Sequence, residues 1–218
     1  MPNQQTPPPE AAPKHLLYVA DPMCSWCYGF APVIDGLAEH FGERLPIRLL
    51  MGGLRAGNTR PMTEADKGTI AGHWRKVAER TGQPFDFGLF EREGWIYDTE
   101  PACRAVVTMR ILNPRRALGY KARVQRAFYA ENRDTTKAAV LADVAAEAGV
   151  DREIFFAEMT SAEARNATFR DFLTAQDSGI RGFPTLLAGD GTGNYLTITN
   201  GYRPLEGMAD ALERWLES

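Results

Sequence analysis

The chain is predicted to be an α/β protein: a small mixed sheet flanked by helices, with an all-helical insertion after the second strand. Three observations predict it. Two short apolar runs, Lys14 to Ala20 and Leu45 to Met51, bracket one helical pattern and read as a strand–helix–strand unit with a right-handed crossover. A long stretch of capped, helix-periodic segments then follows. Strand character returns only near the end, as Thr185 to Ala188 and Tyr195 to Thr199 around a glycine-rich turn. The sheet-bearing domain is therefore expected to be discontinuous, residues 14–59 and 161–218, with residues 60–160 as the helical insertion.

Each element has a local reason. The first helix starts near Ser25; Val33, Ile34, Leu37, Ala38 and Phe41 recur at one-turn spacing, Gly42 closes it, and Pro32 inside it should kink it. Thr63-Glu64-Ala65-Asp66 is a capping-box-like start, followed by Ile70, Trp74 and Val77 on one face and a stop at Gly82. Gln83 to Tyr97 reads as an aromatic loop. Thr99-Glu100-Pro101 opens a helix with proline in its tolerated first turn. Arg115 to Tyr129 and Lys137 to Ala148 carry apolar stripes. Asp151 caps a short helix, and Thr160-Ser161-Ala162-Glu163 starts one that runs to Gly179. Leu205, Met208, Leu212, Trp215 and Leu216 mark a final amphipathic helix.

Composition narrows the function. The 218 residues suit one domain carrying an insertion. A net charge of −3 gives no electrostatic basis for binding nucleic acid or an anionic membrane, and no apolar run approaches a span. Three cysteines are too few, and odd in number, for a framework of structural disulfides. Residues 1–13 are proline-rich and read as a disordered tail; without a basic start or an apolar stretch they do not resemble a secretory signal, so a cytoplasmic protein is expected.

Asp21-Pro22-Met23-Cys24-Ser25-Trp26-Cys27-Tyr28 lies where the first strand ends and the first helix begins. The first amides of a helix lack intrahelical acceptors, and its macrodipole is positive there, so both would stabilise a thiolate at Cys24. Cys27, one turn on, falls on the same face and can attack a mixed disulfide formed at Cys24. Half a zinc site is the weaker reading, because Cys103, His15, His40 and His73 are singly spaced and supply no second ligand pair. Cys103 is either a third redox thiol or a small apolar core residue, the latter favoured because free cysteine is usually buried. Trp26, Tyr28 and Phe30 either line a substrate groove or pack under the helix. Gly52-Gly53 read as turn glycines. Arg110, Arg115, Arg116, Lys121, Arg123 and Arg126 read as a solvated helix face.

Gly182-Phe183-Pro184-Thr185 precedes the third strand. With the Cys-x-x-Cys stretch and the helices between them, it makes the chain resemble the DsbA family of thiol:disulfide oxidoreductases, more closely its FrnE-like branch. The resemblance implies a thioredoxin-like fold, a cis Pro184 beside the cysteines, and substrate binding by Trp26, Phe183 and Thr185, with the Phe183 backbone pairing an extended substrate segment. The expected catalytic residues are thus Cys24, Cys27 and Pro184. The Ser25-Trp26 pair departs from the family's periplasmic oxidases, which carry a thiolate-stabilising histidine between the cysteines, so a less oxidising couple is expected.

The expected activity is exchange of protein or small-molecule disulfides, with no metal or organic cofactor and with glutathione as a candidate thiol donor. Expected partners are thiol or disulfide proteins or glutathione; the sequence leaves oligomeric state open. The alternative is a glutathione-dependent isomerase or transferase of the kappa or hydroxychromene-carboxylate isomerase type. Those typically have serine at the first site position, so Cys24 and Cys27 argue against it. A third reading is a binding module that keeps the fold without turnover.

Overall fold

The structure, a computed structural model, describes residues 13–217, so residues 1–12 of the expected tail lie outside it. Four strands, β1 (His15–Ala20), β2 (Ile47–Met51), β3 (Thr185–Gly189) and β4 (Tyr195–Asn200), form one mixed sheet in the order β2-β1-β3-β4. β1 and β2 run parallel, with Ala20 opposite Met51. β3 is antiparallel to both β1 and β4, and Thr185 lies opposite Val19. The parallel pair needs a crossover. Helices α1 (Ser25–Gly29) and α2 (Ala31–Phe41) supply it. They are the single kinked helix that the sequence predicts. The break falls at Phe30, whose carbonyl then accepts from both Val33 and Ile34, and Pro32 sits in the tolerated first turn of α2.

Between β2 and β3 come α3 (Glu64–Thr81), α4 (Glu100–Leu112), α5 (Ala117–Tyr129), α6 (Ala138–Glu147), α7 (Arg152–Met159) and α8 (Ala162–Asp177); α9 (Met208–Leu216) ends the chain. The capping box of α3 forms as its sequence implies: Thr63 Oγ1 accepts from the Asp66 amide, and the Asp66 carboxylate accepts from the Thr63 amide. The aromatic stretch after it is largely irregular, with one 3-10 turn, Phe87–Glu91. Its phenylalanines build core. Phe85 and Phe90 pack on Trp74 at ring separations of 5.3 and 4.8 Å. The insertion and the sheet share one core, in which Tyr18 and Met51 join Val106, Val124 and Phe128.

The expected solvated basic face forms only in part. Arg115, Arg116 and Arg126 are exposed, but Lys121 is fully buried and Arg110 reaches the sheet. Arg110 donates to both oxygens of Asp171 at 2.8 Å and to the Leu49 carbonyl at 2.6 Å. Asp171 in turn accepts from the Met51 amide at 3.0 Å. Together they occupy the outer edge of β2, whose backbone groups would otherwise be unpaired. Charge pattern alone could not separate these two residues from their exposed neighbours, because burial is decided by what α5 and α4 pack against. Among the described residues no helix is long and apolar enough to cross a membrane.

Candidate active site

The site is assembled on the turn that leaves β1. Asp21 is wholly buried there. Its Oδ1 accepts from the Met23 amide at 2.7 Å; its Oδ2 accepts from the Leu54 amide at 2.7 Å and from the Cys103 thiol at 3.3 Å. Burial pushes the carboxyl above its ordinary range, and these hydrogen bonds oppose that rise. One side chain therefore ties the turn to the segment after β2 and to α4. Tyr97, from the aromatic loop, donates its hydroxyl hydrogen to the Met23 carbonyl.

Cys24 is the N-cap of α1, and its sulfur accepts from the Cys27 amide at 3.4 Å. The helix start thus presents an amide to the first thiol, as the spacing implies. Both cysteines are free. Cys24 is 5% exposed and Cys27 is fully covered, so Cys24 is the outward sulfur. Burial pushes the Cys27 thiol well up, the neighbouring Cys24 adds to the rise, and Lys121 opposes it.

The second half of the site comes from the loop before β3. The Phe183–Pro184 bond is cis. The Cys24 thiol points at the Phe183 carbonyl, 3.5 Å away. The Phe183 ring lies over Gly52, where an added Cβ would come within 2.0 Å of it. Gly52 is therefore the seat of a site residue rather than only a turn glycine. Thr185 is buried in β3 register, and its hydroxyl donates to the Gly182 carbonyl at 2.8 Å, bracing the loop.

Beside the loop an open groove of about 470 Å³ is lined by Trp26, Phe183, Gly201 and Tyr202, with Lys76 and Arg80 from α3. Trp26 and Tyr202 are 5.8 Å apart, and the Arg80 guanidinium lies 5.9 Å from the Tyr202 ring. Neither Lys76 nor Arg80 pairs with a carboxylate among the described residues. Of the three aromatics at the first helix, only Trp26 reaches this groove. Tyr28 stacks on Tyr129 at 4.9 Å, and Phe30 is fully buried near Tyr18. Cys103 is fully buried against Asp21, and burial together with that carboxylate pushes its thiol well up.

Sequence reasoning missed Gly52, Lys76, Arg80, Tyr202 and the carboxylate role of Asp21. Lys76 and Arg80 stand one turn apart on α3, but such pairs are common on surface helices. Nothing local marks them as facing a groove built by distant residues.

A thiol at a helix start, a second thiol one turn behind it and a cis-proline loop alongside, on a sheet of this order, make up a thioredoxin-like arrangement. The chain belongs to the family of DSBA-like thioredoxin domains, whose family model matches residues 16–213. It is similar to a structure from Nitrosomonas europaea described provisionally as a protein disulfide isomerase: 38% identity, 94% of this chain and 98% of the other covered, TM-score 0.87. It is similar also to the cytosolic disulfide reductase DsbM from Pseudomonas aeruginosa, at 28% identity over 93% of this chain and 98% of that one, TM-score 0.77. A structure of that reductase with GSH matches at 27% identity, covering 94% and 100%, TM-score 0.75. Among curated relatives, the ClpXP adapter protein SpxH of Halalkalibacterium halodurans is 23% identical over 80% of this chain, which spans only 58% of that protein's length.

Proposed function

We propose that the protein is a cytoplasmic disulfide reductase that draws electrons from a small carboxylate-bearing thiol such as glutathione. The observation that carries this reading is the Cys24 thiol, held at the start of α1 and facing the carbonyl of Phe183, which lines a groove with two cations that pair with no carboxylate among the described residues. Aromatic walls suit the body of a peptide-like thiol, and Lys76 and Arg80 suit its carboxylates. The likeness to a cytosolic reductase with a GSH-bound structure supports both direction and donor.

In the working direction the Cys24 thiolate attacks a substrate disulfide. A Cys24–substrate bond forms and one substrate sulfur leaves as thiolate. Cys27 then attacks Cys24, the second substrate sulfur leaves, and two electrons have passed from the dithiol to the substrate. Two donor thiols restore the pair and leave as their own disulfide.

A glutathione-dependent isomerase would leave Cys27 without a task. Its burial one turn behind Cys24 supports a resolving role. A non-catalytic binding role, as in the name of the SpxH relatives, predicts peptide binding that survives replacement of both cysteines.

The test is turnover of glutathione disulfide and of insulin, together with the reduction potential of the Cys24–Cys27 pair against glutathione. A reductase is expected to poise below about −200 mV, on the side of thioredoxin and glutaredoxin. A potential near the ~−120 mV of a strong oxidant reverses the proposed direction. Turnover unchanged in Cys24→Ser removes the redox reading altogether.

A further inference from the structure

Lys121 stands where an amine is costly. It lies on α5, 1% exposed, in the same core as the cysteines. Its Nζ donates to the Tyr18 hydroxyl at 3.1 Å and to Gln125 Oε1 at 2.9 Å, and lies 4.6 Å from the Tyr18 ring centre. No carboxylate forms an ion pair with it among the described residues. The titratable groups that face it are Tyr18 on β1, Asp21 in the turn after it, Cys24 and Cys27 at the start of the first helix, and Asp35 on α2. Burial lowers its pKa to about 8, against the pull of those acidic groups.

Tyr18 joins this amine to the site. Its side chain is fully buried; the hydroxyl accepts from Lys121 Nζ at 3.1 Å, and the neighbouring Cys27 helps to push its pKa up. Cys27 has a matching need. It is sealed from solvent, burial favours its protonated form, and it must still lose that proton to attack Cys24.

We propose that Lys121, acting through the Tyr18 hydroxyl, takes the proton from Cys27 as Cys27 attacks the mixed disulfide on Cys24. The inference rests on the redox reading above. Lys121 enters the step as the neutral amine. The Cys27 proton passes to the Tyr18 oxygen while the Tyr18 proton passes to Lys121 Nζ. The Cys27–Cys24 bond forms, the Cys24–substrate bond breaks, and the substrate leaves as a thiolate with the electron pair of that bond. Lys121 ends as an ammonium and returns the proton when the pair is next reduced. A base that titrates near working pH is suited to both directions. Lys121 is thus a positioning residue for the proton and does not touch substrate.

The test follows the resolving step alone, by rapid quenching and mass spectrometry of the Cys24 adduct from pH 6 to pH 10. The proteins are wild type, Lys121→Met, Lys121→Arg and Tyr18→Phe. In wild type the resolution rate is expected to rise through an inflection near the Lys121 value of about 8. Met, Arg and Phe variants are expected to lose that inflection and to resolve about 100-fold more slowly, in the range of a lost general base. Adduct formation by Cys24, read in a Cys27→Ser background, should be unchanged. Arginine keeps the charge but accepts no proton, so wild-type behaviour of Lys121→Arg would reduce Lys121 to a fixed charge and overturn the relay. Tyr18→Phe preserves the ring and decides the matter if Lys121→Met does not fold. A wild type that never forms the Cys24 adduct brings down the redox reading and the relay with it. Normal adducts with wild-type profiles in the variants bring down the relay alone.

Discussion

The Cys24 sulfur and the Phe183 carbonyl oxygen meet at 3.5 Å, although 159 positions separate them in the chain. The sheet makes the meeting. β1 and β3 are antiparallel neighbours with Val19 opposite Thr185, so the turn leaving β1 and the loop entering β3 emerge at the same end. The insertion hangs between them without interrupting that pairing. Cys24 faces the loop and Cys27 is covered, so the proposed roles predict that only Cys24 takes an adduct. After exposure to glutathione disulfide, Cys27→Ala is expected to accumulate a Cys24 adduct visible by mass spectrometry, and Cys24→Ser to show none at Cys27. An adduct on Cys27 in the latter would show that the buried thiol is reachable and void the assignment.

Gly52 sets the position of Phe183. A methyl group there would overlap the Phe183 ring, which must shift from its place over the site. Displacements of about 1 Å cost up to ~100-fold in rate when they fall on reacting groups. Gly52→Ala is expected to lower kcat/KM for disulfide reduction by about 10–100-fold with the thiols intact by titration. Full activity would show that the ring position is immaterial.

The groove cations should act on binding rather than on chemistry. Arg80→Ala and Lys76→Ala are each expected to raise KM for glutathione disulfide by up to about 5-fold, the equivalent of ~1 kcal/mol for an exposed charge contact. The kcat should hold, since binding common to ground and transition states is what is lost. An uncharged disulfide should show no change, and salt should weaken the wild type's discrimination. Equal effects on charged and uncharged substrates would mean the cations do not read carboxylates.

Elements built by local rules were legible before the fold. The Thr63–Asp66 capping box, the Pro32 kink and the Cys-x-x-Cys at a helix start each declare themselves within a few residues. The proline loop became legible only through family resemblance, since an X-Pro dipeptide by itself says little. What stayed hidden depends on long-range packing. Lys121 and Arg126 look alike in sequence, yet one is sealed under the cysteines and the other is in solvent. Gly52 is one of two adjacent glycines, and only the Phe183 ring distinguishes its task.

The Arg110–Asp171 pair should matter for stability rather than catalysis. Asp171 is nearly buried and binds the β2 edge, while Arg110 is about a third exposed. Removing the arginine strands a largely desolvated carboxylate, which costs more than the pair's net contribution. Arg110→Ala is expected to lower unfolding free energy by about 2–3 kcal/mol, discounted from the ~3–5 of a fully buried pair. The double variant with Asp171→Ala should recover part of that loss. Urea denaturation of the two decides it; a double variant less stable than the sum of the singles would contradict a stranded charge.

Lys121 also makes stability depend on pH, with a definite sign. Burial lowers its folded-state pKa to about 8, against ~10.4 for an ordinary lysine. Below about pH 8 it is protonated in both states, and the fold carries the whole desolvation penalty. Between ~8 and ~10.4 the unfolded chain binds a proton that the folded chain has released, so stability rises with pH. The gap corresponds to on the order of 3 kcal/mol. Lys121→Met has no such proton. The wild type is therefore expected to gain on this variant, by that order, as pH rises from about 8 to about 10.4. Cys27 and Tyr18, both pushed up by burial, titrate with the opposite sign in both proteins; losing Lys121 lets the Cys27 thiol rise further in the variant, which adds to the wild type's gain. Lost hydrogen bonds to Tyr18 and Gln125 shift the variant by an amount largely independent of pH. Paired urea titrations across this window isolate the amine. Parallel stability curves for the two proteins would mean that Lys121 keeps an ordinary lysine pKa, and that the fold does not hold it poised near neutrality.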